Sequence, residues 1–119
     1  WGGISSLQLG LPLVWTEWQA RGGSPKDLGH WFGAAPAAWL GLERKGHLAV
    51  GMDADFCIWD PDASFQVNKE TFYVKHPVSP YLGQSLRGKV QRTILRGETV
   101  FEADRGHTSQ LTGRFILNT

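Results

Sequence analysis

The sequence lacks the residue groupings that hold metal ions or form catalytic nucleophiles. Its four histidines, His30, His47, His76 and His107, are widely separated, with no H-x-H or H-x-x-x-H pair, so none matches the spacing of zinc ligands. The patterns G-x-S-x-G and C-x-x-C and the phosphate-binding P-loop are also absent. Taken alone, the sequence shows no catalytic residue and no metal ligand.

Neither charge nor hydrophobicity indicates a nucleic-acid or membrane partner. The 12 basic and 11 acidic side chains give a net charge of +1, and no basic block stands out, which gives nucleic-acid binding no electrostatic support. No apolar run approaches the ~20 residues that a membrane-spanning helix needs. Cys57 is the only cysteine, which rules out an internal disulfide and is compatible with a reducing compartment. We therefore expect a cytoplasmic protein, with mitochondrial and peroxisomal locations left open.

The chain has the length of one domain but the aromatic content of a larger one. Its 119 residues include six tryptophans, and rings of that size need a bigger core than so short a chain builds. The sequence begins at Trp1 instead of methionine and shows no targeting pattern. These features predict a fragment of a longer protein.

Helices are predicted up to residue 44. A short helical segment over residues 4–9 should break near Gly10, and a second helix with Pro12 in its first turn should end at Gly22-Gly23. Ser24 then caps a third helix, which Pro36 is expected to end, because the residue before a proline is pushed out of the α region. A short helix from residue 36 to residue 40 follows.

From residue 45 the pattern changes to strands. The stretch KGHLAVGMDADFCIWD at residues 45–60 predicts strands at 47–50 and 56–59, joined by a hinge in which Asp53 and Asp55 have a structural role, bonding nearby backbone amides. Asp60 begins a turn, and a short strand at 65–67 precedes a long loop over 68–86. Strands at 89–95 and 99–101 should form a hairpin around Arg96-Gly97, and residues 104–113 are expected to be loose.

Several blocks, in order, resemble a known enzyme family over residues 1–102. They are WGGISSLQLGLPLVWT at 1–16, the 45–60 stretch, HPVSPY at 76–81, LRGKV at 86–90 and LRG at 95–97. Together they resemble the allantoinases, cyclic amidohydrolases that open the hydantoin ring of allantoin. The resemblance implies an α/β fold: residues 1–44 as the C-terminal helices of a (β/α)₈ metal-dependent hydrolase barrel, residues 45–103 as part of a small β-sandwich domain, and residues 104–119 as a tail.

The resemblance also implies a cofactor, a substrate and an assembly. Family members hold two zinc ions through an H-x-H pair, a carboxylated lysine, two further histidines and an aspartate. These ligands precede the segment that matches Trp1, so no metal ligand and no catalytic residue is assigned here, and we expect the isolated chain to be inactive and to bind no zinc. The intact enzyme is expected to be a homotetramer that hydrolyses allantoin, a small molecule, in purine catabolism.

One substrate contact remains for this chain. Trp1, Gly2 and Gly3 match a loop whose backbone meets the substrate's imide, although Gly2-Gly3 could instead start a helix at a close packing contact.

Two alternative identities of the intact protein also remain open. The intact protein could be a hydantoinase, dihydropyrimidinase or dihydroorotase relative, or it could be a non-catalytic assembly module that has lost the family's metal ligands.

Overall fold

The computed structural model describes residues 3–109 and 112–116, which combine helices with an antiparallel sheet. The helical part consists of a 3₁₀-helix at Leu7–Leu9, α1 at Gly10–Ala20, α2 at Pro25–Gly29, a π-helical turn at His30–Ala34 and α3 at Ala35–Trp39. The strands of the described residues are β1 at Phe56–Gln66, β2 at Ser85–Leu95, β3 at Glu98–Glu102 and β4 at Gly106–His107, in the order β1-β2-β3-β4. This agrees with the expectation of helices followed by strands.

Nearby proline and glycine residues explain where α1 begins and ends. Pro12 lies in the first turn, where its missing amide hydrogen is not needed. At the other end the Gly23 amide donates to the Trp18 carbonyl oxygen at 2.9 Å, and Gly22 takes a φ of +80°. The predicted break near Gly10 is wrong, because Gly10 has helical angles and the 3₁₀-helix continues directly into α1.

The next helical segment is capped as predicted but does not stop at Pro36. Ser24 and Asp27 form a capping box at the start of α2. The π-helical turn then carries the chain into α3, with the Ala35 amide donating to the carbonyl oxygen of His30, five residues back. In this wider turn the bonding pattern shifts by one residue just before Pro36, which has no amide hydrogen to donate. The expected helix end at Pro36 is therefore wrong.

The predicted strand at 47–50 is also wrong. Its residues lie in an exposed loop over residues 44–53, which the Asp53 amide closes by donating to the Arg44 carbonyl oxygen at 2.9 Å. Gly46 and Gly51, at either end of the apolar run, both have a φ of +91°. These positive angles turn the backbone out of the extended conformation on both sides of the run, and no strand of the described sheet lies beside it.

The sheet is a meander whose turns match the sequence. Asp60 Oδ1 accepts hydrogen bonds from the amides of Asp62 and Ala63 at 2.9 and 3.1 Å, which makes the predicted turn an irregularity within β1. Arg96 and Gly97 have φ angles of 49° and 85°, as a two-residue hairpin turn of type I′ requires. The β2–β3 hairpin is thus confirmed.

Trp15 joins the helices to the sheet. Its buried ring lies edge-on to Trp59, with the ring centroids 5.4 Å apart, and its Nε1 donates to the Pro61 carbonyl oxygen at 2.8 Å. A separate core of Leu9, Val67, Phe72 and Leu86 lies beneath the loop over residues 68–84. No helix in the described part of the chain is long and apolar enough to cross a membrane.

The tail is more ordered than predicted. β4 pairs with β3, with Phe101 opposite His107. The His107 ring centroid lies 4.6 Å from that of Tyr73 and 5.2 Å from that of Phe101. These ring contacts hold residues 106–107 against the 68–84 loop, so the expectation of a loose tail is wrong for these residues.

Candidate functional site

The predicted substrate segment lies only partly within the described residues. Trp1 and Gly2 lie outside them, and Gly3 is exposed with a φ of +142°. A Cβ atom built on Gly3 would meet nothing within 4 Å. Glycine is therefore favoured here by the backbone angle and not by close packing. The helical residues begin only at Leu7, so Gly3 lies in exposed, non-helical backbone.

Three hydrogen bonds fix the backbone that follows Gly3. Ser79 Oγ donates to the Ser5 carbonyl oxygen at 2.9 Å. Gln8 Nε2 donates to the Thr71 carbonyl oxygen at 2.7 Å, and the Tyr73 amide donates to Gln8 Oε1 at 2.8 Å. All three contacts come from the 68–84 loop. Sequence reasoning missed Gln8 and Ser79, because their partners lie 63–74 residues away and no local motif marks such a pairing.

A charged cluster lies at the end of the 44–53 loop. Lys45 Nζ lies 3.1 Å from an oxygen of Asp53 and also bonds Asp55. Arg44 Nε lies 3.0 Å from Asp53, and the Arg96 amide donates to Asp55 at 2.8 Å. The structural role predicted for both aspartates agrees with this geometry. Their partners, however, are basic side chains and the amide of the β2–β3 turn, and not nearby backbone amides.

Lys45, Asp53 and Asp55 keep their charges near neutral pH. The hydrogen bond to Asp55 is the main cause that raises the pKa of Lys45, and the hydrogen bond from Lys45 lowers the pKa of Asp53. Burial raises the pKa of Asp55, but the hydrogen bonds from Lys45 and from the Arg96 amide together lower it. A general acid or base works best with a pKa near the working pH, so this cluster is suited to holding the loop and not to proton transfer.

A cleft of about 700 Å³ separates α2 and α3 from the sheet. Its lining is largely apolar and includes Leu28, Phe32, Phe56 and Trp59. Cys57 also lies on this cleft, and burial raises the pKa of its thiol. A raised pKa leaves less of the reactive thiolate. The cleft is therefore suited to apolar packing and lacks an activated nucleophile.

The described residues do not supply the donors of a zinc site. Within 3–109 and 112–116, no three histidine, cysteine, aspartate or glutamate side chains lie close enough together to hold a metal ion. His30, His47 and His76 are exposed and lie apart on the helices, the 44–53 loop and the 68–84 loop. His107 packs against two aromatic rings. The zinc that the resemblance implies does not fit these side chains, and none of them is assigned a step that involves it.

Curated relatives match nearly the whole chain. The chain is 41% identical over 120 residues to probable allantoinase 2 of Dictyostelium discoideum, covering 100% of this chain and 24% of that protein. It is 42% identical over 116 residues to an allantoinase of Streptomyces avermitilis, covering 98% of this chain and 26% of that protein. An allantoinase of Arabidopsis thaliana is 40% identical over 121 residues, covering 100% of this chain and 24% of that protein. The chain thus spans about a quarter of the length of the relatives it matches.

Solved structures also match most of this chain, and the chain again covers only part of each. An L-hydantoinase (dihydropyrimidinase) from Arthrobacter aurescens superposes with a TM-score of 0.77 at 33% identity, over 84% of this chain and 23% of that one. A dihydropyrimidinase from Brevibacillus agri gives a TM-score of 0.73 at 26% identity, over 82% of this chain and 22% of that one. The model of the family described as "Amidohydrolase family" matches residues 26–101, which is more than half of the sequence. The chain therefore belongs to the amidohydrolase family.

Proposed function

We propose that the chain is the carboxy-terminal part of an allantoinase, which hydrolyses the cyclic amide of allantoin to allantoate in purine catabolism. The observation that carries the proposal is the set of relatives named as allantoinases or probable allantoinases. They are 35–43% identical to the chain over 98–100% of its length. Such identity along the whole chain includes the segment around Gly3, where the backbone is exposed.

The architecture we propose is that of the family. α1–α3 would be the last helices of a (β/α)₈ barrel, and the sheet would be part of a β-sandwich domain. Large apolar side chains support this placement: Leu7, Trp39, Leu48 and Val50 are exposed for more than three quarters of their surface. Exposed apolar surface of this kind is typical of an interaction site. The relatives are about four times longer than this chain, which provides enough protein to cover it.

Within that enzyme, this chain would contribute substrate positioning and packing. The backbone at Trp1, Gly2 and Gly3 would hydrogen-bond the imide of the substrate, and neutral amide groups suit an uncharged ring. The two zinc ions would be held by the rest of the enzyme. We further propose a homotetramer in the cytoplasm, which native mass spectrometry and cell fractionation would test.

A hydantoinase or dihydropyrimidinase is the second candidate. It is favoured by the superposition on L-hydantoinase (dihydropyrimidinase), with a TM-score of 0.77. All these candidate reactions open a cyclic amide, so substrate choice is what separates them.

A chimeric enzyme tests the proposal. This chain would replace the matching segment of the Streptomyces avermitilis allantoinase, to which it is 42% identical. The chimera would be assayed with allantoin, a 5-substituted hydantoin and dihydrouracil. The matched control places the same chain in the Arthrobacter aurescens L-hydantoinase, to which it is 33% identical.

We expect the first chimera to prefer allantoin and to keep its zinc by elemental analysis. The 119-residue chain alone should show neither tight zinc nor turnover. A folded, zinc-containing chimera that turns over hydantoins but not allantoin would contradict the allantoinase proposal and favour the second candidate.

A further inference from the structure

We propose that Gln8 and Ser79 are positioning residues. They fix the position from which the Gly3 backbone would contact the substrate. The inference rests on the proposed function, because it takes Gly3 as part of the substrate segment. Neither side chain would touch the substrate. Each would act through the main chain that follows Gly3.

Gln8 attaches the start of the helical part to the 68–84 loop by both ends of its amide. Nε2 donates to the Thr71 carbonyl oxygen at 2.7 Å, and Oε1 accepts from the Tyr73 amide at 2.8 Å. Thr71 and Tyr73 are two residues apart in the loop. One side chain thus satisfies a backbone acceptor and a backbone donor, and its orientation is fixed at two points. A hydrogen bond through only one of these two atoms would leave the side-chain amide of Gln8 free to rotate.

Ser79 makes the second attachment, closer to Gly3. Its Oγ donates to the Ser5 carbonyl oxygen at 2.9 Å and accepts from the Tyr81 amide at 3.4 Å. Ser5 is two residues from Gly3, a separation that spans at most ~7 Å of chain. The hydrogen bond to the Ser5 carbonyl oxygen therefore limits how far the Gly3 backbone can move from the 68–84 loop.

The loop that supplies these contacts is itself fixed. The Val67 amide donates to the Gln84 carbonyl oxygen, and the Gly83 amide donates to the Val67 carbonyl oxygen, at 2.9 and 2.8 Å, which closes the base of the loop. Phe72 is buried together with Leu9, which directly follows Gln8. Gln8 and Ser79 therefore connect the Gly3 segment to a packed support.

Two substitutions test the inference in the allantoin-hydrolysing chimera. Gln8→Met keeps the length of the side chain and removes both hydrogen bonds, and Ser79→Ala removes the hydroxyl. We expect each to raise KM for allantoin roughly three- to tenfold, the factor that one or two lost hydrogen bonds account for. The value of kcat should change less than KM, and zinc content should stay constant.

Controls separate positioning from general destabilisation. Ser79→Thr retains the hydroxyl and should restore KM. Gln66→Met makes the same chemical change at another exposed glutamine, whose Nε2 donates to the Gly83 carbonyl oxygen at 3.1 Å and not to the segment that follows Gly3. It should leave KM unchanged. Hydrogen exchange of the amides at residues 4–7 gives a second measurement, and we expect faster exchange in Gln8→Met and Ser79→Ala than in Gln66→Met.

The outcomes are distinguishable. An active parent chimera whose KM and amide exchange are unaffected by Gln8→Met and Ser79→Ala would overturn the positioning role and leave the proposed function standing. A rise in KM of the same size in Gln66→Met would also overturn it, because the effect would then follow from loss of stability. A folded parent chimera without allantoin turnover would overturn the proposed function and this inference with it.

Discussion

Replacing Gly88 with alanine should destabilise the protein through two separable effects. Gly88 lies in β2 with a φ of +88°, a conformation that costs an L-residue about 1–2 kcal/mol. A Cβ atom there would lie 2.8 Å from Cδ1 of Trp15 and 3.2 Å from Cζ3 of Trp59. Overfilling a packed site of this kind costs about 1–3 kcal/mol. We therefore expect Gly88→Ala to lower the free energy of unfolding by about 2–5 kcal/mol.

Gly83→Ala is the matched control. Gly83 has a φ of +83°, but a Cβ atom there would meet nothing within 4 Å. Both substitutions restrict the unfolded chain equally, so that effect cancels between them. Urea unfolding, followed by tryptophan fluorescence, would measure the free energy of unfolding of both variants. Equal losses in the two variants would refute the conclusion that the paired tryptophan rings exclude a side chain at position 88.

Three further predictions concern stability. Because the pKa of Asp55 is lowered from 3.8 and that of Lys45 is raised from 10.5, their pairing stabilises the fold at neutral pH. That contribution is lost as pH falls through the folded pKa of Asp55 or rises through the folded pKa of Lys45. In Lys45→Met the urea midpoint should therefore vary less with pH than in the unsubstituted protein, in both the acidic and the alkaline range. Trp15→Phe removes the 2.8 Å bond to the sheet backbone and should cost about 1–3 kcal/mol by urea unfolding; no change would contradict that bond. Ser24→Ala removes the helix cap and should cost about 1 kcal/mol, measured as a lower midpoint in thermal unfolding, whereas an unchanged midpoint would count against the capping box.

Features that depend on neighbouring residues could be predicted from the sequence. The Ser24 helix cap, the Asp60 turn and the Arg96-Gly97 hairpin each use side chains or backbone angles within a few residues, and all three occur in the structure. The strand predicted at 47–50 is wrong because a strand depends on a partner elsewhere in the chain. Its apolar residues are compatible with a strand, but a strand needs a partner, and periodicity within the chain says nothing about partners.

The contacts of the candidate site are mainly long-range. Gln8 bonds residues 63 and 65 positions away, and Ser79 bonds a residue 74 positions away. A polar side chain on the surface of a short helix or a loop gives no sign of which distant backbone group it will meet. The substrate role of the segment stays a prediction from its resemblance to a family, whereas the hydrogen bonds that follow Gly3 required the structure.

The irregularity in β1 limits how this chain can join another strand. Among the described strands β1 lies at one edge of the sheet, and a free edge invites pairing with a second chain. Pro61 has no amide hydrogen to offer, and register shifts between Ile58 and Trp59 and between Asp60 and Ser64 divide the ladder with β2 into three short runs. Each of these runs holds only two or three residues in register. The tight turn that accepts the Trp15 hydrogen bond therefore also interrupts the regular backbone that a pairing strand would need.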